Sequence, residues 1–183
     1  MPTLQLIPPT LDCADELLRF ETDNRAFFEA RINSRPAAYY SPDGVRAAIV
    51  LAEREAAEDK GYQFLVRTDA GELVGRVNLI GVRRTHFQMA DLGYRMAESA
   101  CGKGYASEAV RLVLEKAFGE LGLVRLEANA RVGNEGSIKV LLRNGFREFG
   151  RSTQSFLLGG VWYDRLHFER RAGEGRPDNA THG

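Results

Sequence analysis

The sequence predicts one α/β domain, a mixed and mostly antiparallel sheet of about seven strands with helices on both faces. Three observations predict it. The 183 residues suit a single domain that buries a sizeable core. Apolar residues recur at helical spacing between Ala106 and Leu121, whereas the flanking segments alternate or end in turn residues. Taken in order, the segments read β-α-α-β-β-β-α-β-α-β-β.

The first half of this order follows from local signals. Residues 3–7 alternate and predict a strand that ends at Pro8-Pro9, and a helix beginning near Thr10 or Asp12 carries Leu17, Leu18, Phe27 and Phe28. Ser41-Pro42 predicts the start of a second helix that runs towards Lys60 and ends at Gly61. Strands at 62–68 and 73–80 flank a hairpin turn at 69–72, and a third strand spans about 87–96.

The second half alternates between the two periodicities. The helix over 106–121 ends at Gly122, and a strand follows at 124–130. Asn134 is a helix N-cap, and Asn144-Gly145 ends that helix. Two strands, 146–158 and 161–168, reverse at Gly159-Gly160. We therefore expect one domain over residues 1–171 and a flexible polar tail over 172–183.

Composition excludes several classes of protein. Lys plus Arg and Asp plus Glu each number 25, and this zero net charge argues against a nucleic-acid partner. Basic residues still cluster at Arg83-Arg84 and at Arg165, Arg170 and Arg171, as solvated strand ends or as a docking surface. No window approaches the ~18 apolar residues of a membrane span.

Cysteine usage and the N-terminus point to one compartment. Cys13 and Cys101 lack CxxC spacing, and the first residues lack the basic and apolar regions of a secretory signal. We therefore expect a cytoplasmic protein, since a reducing compartment suits unpaired thiols. The sequence is silent on oligomeric state, and a homodimer is possible on general frequency.

The most specific feature is a glycine-rich loop between a strand and the amphipathic helix. Gly102 and Gly104 lack a Cβ, which lets backbone N–H groups approach an anion closely, and Lys103 adds charge at the rim. The helix behind them supplies unpaired N–H donors and the positive end of its dipole. The loop therefore predicts a phosphate site. A turn that only packs the helix tightly is the alternative, whereas the P-loop and dinucleotide patterns are not matched.

The surrounding motifs resemble those of the GNAT superfamily of N-acetyltransferases, and most closely its RimJ/RimL group, which acetylates ribosomal proteins. The shared features are the LGY strand at 92–94, GKGYASEA at 102–109, the N-x-x-S of Asn134 and Ser137, LLRNGF at 141–146 and GVWYD at 160–164. The likeness runs from about Leu4 to Phe168. It implies the GNAT fold, with the central sheet splayed between the strands that contain 92–96 and 125–131.

The resemblance also implies a cofactor, acetyl-CoA, used as a co-substrate without a metal. The family motif [QR]-x-x-G-x-[GA] falls on Cys101, Gly104 and Ala106. Cys101 departs from the usual Gln or Arg, which is expected to weaken cofactor binding without abolishing it. A depressed thiol pKa at this helix N-terminus is one interpretation of Cys101, and an inert loop thiol is the other. The implied cofactor-binding residues are Gly93, Tyr94, Arg95, Met96, Cys101, Gly102, Lys103, Gly104, Tyr105, Ala106, Asn134 and Ser137.

Catalytic roles are implied by the same likeness. Ser137 is the candidate for handling the leaving thiolate, although it also reads as a polar first-turn residue. Asp164 is the candidate on the acceptor side, with a cross-strand hydrogen bond as the alternative. For the general base the candidates are His86, Asp91, Tyr94 and Glu127, and an ordered water needs none of them.

Three functions stay open from the sequence. In the first, the chain acetylates the N-terminal α-amine of a protein such as a ribosomal protein. In the second, the acceptor is a small amine such as an antibiotic, polyamine or amino acid. In the third, the chain is a sensor that binds acetyl-CoA without turnover.

Overall fold

A seven-stranded sheet in the order β1-β2-β3-β4-β5-β7-β6 forms the centre of the molecule. The computed structural model describes residues 3–174. Neighbouring strands are antiparallel except β4 and β5, which are parallel. The predicted mixed, mostly antiparallel sheet is therefore confirmed. The strands are β1 (Leu4–Ile7), β2 (Gly61–Thr68), β3 (Leu73–Arg83), β4 (Met89–Met96), β5 (Arg125–Arg131), β6 (Arg147–Leu158) and β7 (Val161–Arg171).

Helices cover both faces of this sheet. They are α1 (Ala14–Asp23), α2 (Arg25–Glu29), α3 (Pro42–Ala57), α4 (Tyr105–Glu115) and α5 (Glu135–Arg143). α1 packs on α3 and α3 on β2, while α4 packs on β3, β4 and α5. Burying the apolar side chains between these layers stabilises the fold by about 1.5–3 kcal/mol for each large residue, such as Leu126 or Phe168. Within residues 3–174, none of the helices is long and apolar enough to cross a membrane.

The first predicted helix is broken in two, which corrects the expectation of a continuous helix through Phe28. A 3-10 turn at Leu11–Cys13 precedes α1, and α1 ends before Asn24. The side chain of Asn24 donates to the carbonyl of Phe20 at 2.9 Å and accepts from the backbone N–H of Glu98 at 2.9 Å. The break therefore ties the helices to the loop that follows β4.

Other boundaries move by a few residues. Ser41 caps α3 as predicted, accepting from the Gly44 N–H at 3.0 Å, but the helix ends at Ala57 because Asp59 adopts a φ of 55°. β4 begins at Met89 because the preceding residues form a turn in which His86 has a φ of 68°. The predicted helix over 106–121 is α-helical only to Glu115 and continues as a π-helix at Lys116–Glu120.

The C-terminal hairpin reverses where it was predicted to. Gly159 and Gly160 have φ values of 56° and 81°, which suit a two-residue hairpin turn. β7 runs on to Arg171, and the Ala172 N–H donates to the Val124 carbonyl at 2.9 Å. Most of the predicted tail, residues 175–183, lies outside the described residues.

The sheet splits between β4 and β5. Their pairing covers Met89↔Arg125, Ala90↔Leu126 and Asp91↔Glu127, and then it stops. Both strands continue, β4 to Met96 and β5 to Arg131, while each stays paired with its other neighbour. The splay expected from the resemblance is therefore present, and the edge of β4 that faces β5 is left without a strand partner beyond Asp91.

Candidate active site

A cleft of about 600 Å³ opens where β4 and β5 separate. Its walls come from α2, the ends of the two splayed strands, the loop before α4, the first turn of α4 and one side of α5. All but one of the predicted cofactor residues line it, and the exception is Lys103, which is exposed in the loop. The lining residues taken from the prediction are Gly93, Tyr94, Arg95, Met96, Cys101, Gly102, Gly104, Tyr105, Ala106, Asn134 and Ser137.

The loop before α4 has the geometry of an anion site. Gly102 and Gly104 have φ values of 75° and 81°, a conformation that L side chains rarely adopt. A Cβ added at either position would meet no protein atom within 4 Å, so the space above the loop is open. Gly104 is the N-cap of α4, and because it has no side chain it cannot accept a hydrogen bond from the first N–H groups of the helix. Those N–H groups are therefore available to a ligand.

Cys101 begins this loop and is not an activated thiol. Its Sγ lies 3.5 Å from the carbonyl oxygen of Ala97, and burial of the sulfur raises the pKa of the thiol. The interpretation of Cys101 as a thiol with a depressed pKa is therefore wrong. Arg31 lies close enough to act on this thiol electrostatically, and it also lines the cleft.

Tyr94 and Ser137 meet across the cleft. The Tyr94 hydroxyl lies 2.8 Å from Ser137 Oγ and also donates to the Ser137 carbonyl at 3.2 Å. Burial raises the pKa of Tyr94 to about 12, so the phenol keeps its proton at neutral pH. Asn134 Oδ1 caps α5 by accepting from the Ser137 N–H at 3.3 Å, as predicted. The pair supplies two linked hydroxyl groups beside the open edge of β4.

Alternation along β4 gives the cleft two faces. Tyr94 points to α5, whereas its neighbour Arg95 points to α1, where its Nη1 lies 3.0 Å from Glu21 Oε2. We call these the α5 face and the α1 face. Arg95 and Asp91 share the α1 face, because they lie four residues apart on one strand.

The four candidate bases lie in different surroundings. His86 is exposed in the turn before β4, outside the cleft lining. Glu127 forms an ion pair with Arg125 at 2.6 Å, and Tyr94 is a protonated phenol. Asp91 lines the cleft at the last paired position before the splay, 3.9 Å from Arg83. Burial raises the pKa of its carboxyl; the Arg83 guanidinium opposes this, and Glu127 adds to it. Of the four candidates, Asp91 and Tyr94 line the cleft.

A buried charge cluster behind Arg95 was missed by sequence reasoning. Glu21 is fully buried in the last turn of α1 and contacts Arg76 at 2.5 Å, Arg95 at 3.0 Å and Arg35 at 3.7 Å. Burial would raise the pKa of Glu21, but the three guanidinium groups hold it below its ordinary value. Arg76 also donates to Tyr39 at 2.8 Å. The contacts come from segments far apart in the chain, so no local signal identified them.

Two further arginines reach the cleft from β5 and β7. Arg131 and Arg165 stand directly opposite each other in the pairing of these strands, and both line the cleft. The sequence allowed two interpretations of Arg165, a solvated strand end or part of a docking surface. In the structure Arg165 lines the cleft. Arg131 lies over the ring of Tyr163 at 4.5 Å, and Arg165 Nη1 lies 3.4 Å from Asn129 Oδ1.

Asp164 is held by contacts within the hairpin. Its carboxylate accepts from Arg151 at 2.5 Å and from the Gln154 N–H at 2.8 Å, and these bonds lower the pKa of the carboxyl. Asp164 is absent from the cleft lining, and its role towards an acceptor stays a prediction. Among residues 3–174, His, Cys, Asp and Glu side chains form no group of three that is arranged to hold a metal ion.

Comparison with known proteins gives one consistent result. Residues 3–147 match the model of the acetyltransferase (GNAT) domain. The probable N-acetyltransferase YjcK of Bacillus subtilis is 36% identical over 88% of this chain and 90% of its own. The [ribosomal protein uS5]-alanine N-acetyltransferase of Escherichia coli is 26% identical over 82% of this chain and 78% of its own. RimJ of Mycobacterium smegmatis, solved in complex with CoA-disulfide, superposes with a TM-score of 0.85 at 26% identity, covering 92% of this chain and 82% of its own.

Proposed function

The chain belongs to the GNAT acetyltransferase family, and from that premise we propose that it transfers the acetyl group of acetyl-CoA to the N-terminal α-amine of a protein. The observation that carries the proposal is the splay of β4 from β5, with an open glycine loop at one end and the Tyr94–Ser137 pair beside it. N-acetyltransferase chemistry follows from the family, whereas the acceptor and the roles of the residues are our inference.

The cleft fits a long ligand that carries phosphates at one end. The uncapped N–H groups at Gly104–Ala106 would bind the pyrophosphate, and Lys139 and Arg143 of α5 line the same side with positive charge. The open edge of Gly93–Met96 offers backbone groups to the amides of the pantetheine arm, as a neighbouring strand would. From Met96 back to Asp91 the strand extends roughly 17 Å at ~3.3 Å per residue, so the arm runs along the strand towards the apex of the splay.

Acetyl-CoA supplies an activated acyl group as a thioester. The protein holds the amine in line with the carbonyl carbon of the thioester. This positioning can itself lower the barrier by about 7–11 kcal/mol. The amine nitrogen bonds the carbonyl carbon, the carbon–sulfur bond breaks, and the sulfur takes a proton from Ser137. Tyr94, whose phenol is protonated before the step, passes its proton to Ser137 along their hydrogen bond and takes one back from solvent afterwards.

The amine must lose a proton as it attacks, and Asp91 is the proposed acceptor of that proton, directly or through one water. Its position at the apex and the raised pKa of its carboxyl both favour this role, since a base works best when its pKa approaches the working pH. Glu127 is less suited to the role, because it is absent from the cleft lining and its ion pair with Arg125 at 2.6 Å is shorter than that of Asp91 with Arg83 at 3.9 Å.

A protein N-terminus is the favoured acceptor for two reasons. The cleft of about 600 Å³ is lined by β5 as well as β4, so an extended chain can lie along β5 while the pantetheine arm occupies the edge of β4. One relative is named for the alanine of ribosomal protein uS5, and its likeness covers most of this chain.

The test compares acceptors in one assay. Purified protein and acetyl-CoA are incubated with N-terminal peptides beginning with Ala or Ser, with polyamines and with aminoglycosides, and released thiol is measured. We expect kcat/KM for the best peptide to exceed that for every small amine by at least about 10-fold, or about 1.4 kcal/mol. A small amine preferred over all peptides would contradict the acceptor, and cofactor binding without thiol release would contradict the enzyme.

A further inference from the structure

The charged side chains of the cleft are mostly positive. On the α5 face Lys139 and Arg143 accompany the phosphate loop, which accounts for their sign. On the α1 face the cleft is lined by Arg95, Arg131 and Arg165, against one lining carboxylate, Asp91. These three arginines come from three different strands and need a separate explanation.

Arg131 and Arg165 are directly opposed on β5 and β7. Among residues 3–174 neither forms an ion pair with a carboxylate, and the Nε of Arg131 is buried without a hydrogen-bond partner. Like charges directly opposite on adjacent strands destabilise a sheet by up to about 1 kcal/mol. The Arg131 guanidinium lies over the ring of Tyr163 and Arg165 Nη1 lies 3.4 Å from Asn129 Oδ1, so these contacts are with uncharged groups and leave both positive charges to an anion that enters the cleft.

Arg95 adds to the same field from the inner end of the cleft. Its side chain is 17% exposed and shares Glu21 with Arg76 and Arg35, so that one carboxylate faces three guanidinium groups. Burial lowers the pKa of Arg95, and repulsion from Arg35 and Arg76 adds to the effect even though Glu21 opposes it. The cluster therefore keeps an excess of positive charge that an incoming carboxylate would neutralise.

We propose that the α1 face recognises an acidic acceptor, namely a protein N-terminus with an Asp or Glu a few residues after the acetylated amine. The inference rests on the proposed function and specifies its substrate. Along β5, Arg131 lies four residues beyond Glu127 at the apex, roughly 13 Å at ~3.3 Å per residue. An extended peptide spans that distance with three or four residues, so the carboxylate belongs at about the third to fifth position.

An acidic acceptor differs from a cationic small amine in charge, and from the phosphates of the cofactor in the face of the cleft that binds it. A polyamine or an aminoglycoside carries several positive charges and would be repelled by Arg95, Arg131 and Arg165. The glycine loop would bind the phosphates of the cofactor on the opposite face, the α5 face. This loop leads into α4, and α4 packs on α5, where Asn144 Nδ2 donates to the Ser107 carbonyl at 3.1 Å.

The experiment uses matched peptides that begin with the same residue and carry one Asp, Asn or Lys walked through positions 2 to 6. We expect kcat/KM for the best Asp peptide to exceed that of its Asn counterpart at least about 10-fold and to fall with added salt. The optimum lies at positions 3–5, and Lys peptides rank last.

Variants then assign the effect to the arginines. Arg131→Gln and Arg165→Gln each lower the Asp-to-Asn ratio towards one, and Arg165→Glu inverts the preference in favour of Lys peptides. Arg46→Gln is the matched control, since Arg46 is half exposed on α3, outside the cleft lining, and loses the same charge. It leaves the ratio unchanged.

Three results would contradict the acidic acceptor or the proposed function, and they are distinguishable. Equal acetylation of Asp, Asn and Lys peptides overturns the acidic acceptor and leaves the proposed function standing. A rise in the KM for acetyl-CoA in the Arg131 and Arg165 variants, with the ratio unchanged, assigns the pair to the cofactor and also overturns it. If no peptide of any charge is acetylated, the proposed function itself fails.

Discussion

The hydrogen-bonded pair of Tyr94 and Ser137 allows a sharp test of the proton delivery to the leaving sulfur. The two hydroxyl oxygens are 2.8 Å apart, and the raised pKa of Tyr94, about 12, keeps its proton in place at assay pH. General acid catalysis contributes roughly 10²–10⁴-fold, and a water that enters the vacated space recovers part of it. We therefore expect Ser137→Ala to lower kcat at least about 10-fold, with little change in the KM for acetyl-CoA.

The double variant decides whether the two hydroxyls act as one unit. If Tyr94 works through Ser137, then Tyr94→Phe in the Ser137→Ala background lowers kcat no further, because residues that act as a unit are non-additive. Stopped assays of released thiol at saturating acetyl-CoA provide the rates. Thermal unfolding monitors the loss of the buried hydrogen bond, about 0.5–1.5 kcal/mol.

A serine outside the cleft provides the control. Ser152 is hydrogen-bonded to Ser155 at 2.6 Å and to His167 at 2.7 Å, so Ser152→Ala deletes a bonded hydroxyl without touching the cleft. It should leave kcat unchanged. Unaltered turnover in Ser137→Ala, or losses that multiply in the double variant, would refute the relay.

Three further predictions concern the loop, the base and the buried carboxylate. Gly104→Ala places a Cβ into the open space above the loop and should raise the KM for acetyl-CoA at least about 10-fold, with about 1–2 kcal/mol of strain. Asp91→Asn should lower kcat about 10²-fold or more and abolish the acidic limb of the pH–rate profile, which in the wild type falls as pH drops through the raised pKa of Asp91. Glu21→Gln leaves the buried guanidinium of Arg76 and the partly buried ones of Arg95 and Arg35 without this counter-charge, and should lower the free energy of unfolding by about 3–5 kcal/mol in urea denaturation. Because the folded pKa of Glu21 is lowered, its stabilisation is present above the ordinary value of 4.5 and is lost as the pH falls through the lower folded value.

Matched controls accompany each of these. Gly71 has a φ of 82° and open surroundings in the β2–β3 turn, so Gly71→Ala carries similar strain and should leave the KM for acetyl-CoA unchanged. Glu127→Gln removes a carboxylate beside Asp91 and should keep the acidic limb. An acidic limb that survives in Asp91→Asn would assign the proton transfer elsewhere. A neutral effect of Glu21→Gln on stability at pH 7 would contradict the proposed charge balance.

The sequence predicted the framework because its signals are local. The period of α4, the cap at Ser41, the Asn134 cap and the turn at Gly159-Gly160 each depend on residues close in the chain, and all are present. The splay was expected from the family likeness alone, since nothing in residues 92–96 indicates where strand pairing stops.

What the sequence did not predict depends on contacts between distant segments. Asn24 breaks the first helix because its side chain bonds Glu98, 74 residues away. Glu21 reads as a solvent-facing helix residue until Arg76 and Arg95 are placed over it by β3 and β4. The opposition of Arg131 and Arg165 requires the register of β5 and β7, which are separated by α5 and β6.

Mass spectrometry after incubation with isotope-labelled acetyl-CoA tests the central claim most directly. The protein is mixed with the labelled cofactor and an acidic N-terminal peptide that also contains an internal lysine. Fragmentation locates the label, and released thiol is counted in parallel. We expect one labelled acetyl group on the peptide α-amine for each thiol released. A label confined to the lysine side chain, or tight binding of acetyl-CoA with no labelled peptide, would contradict it.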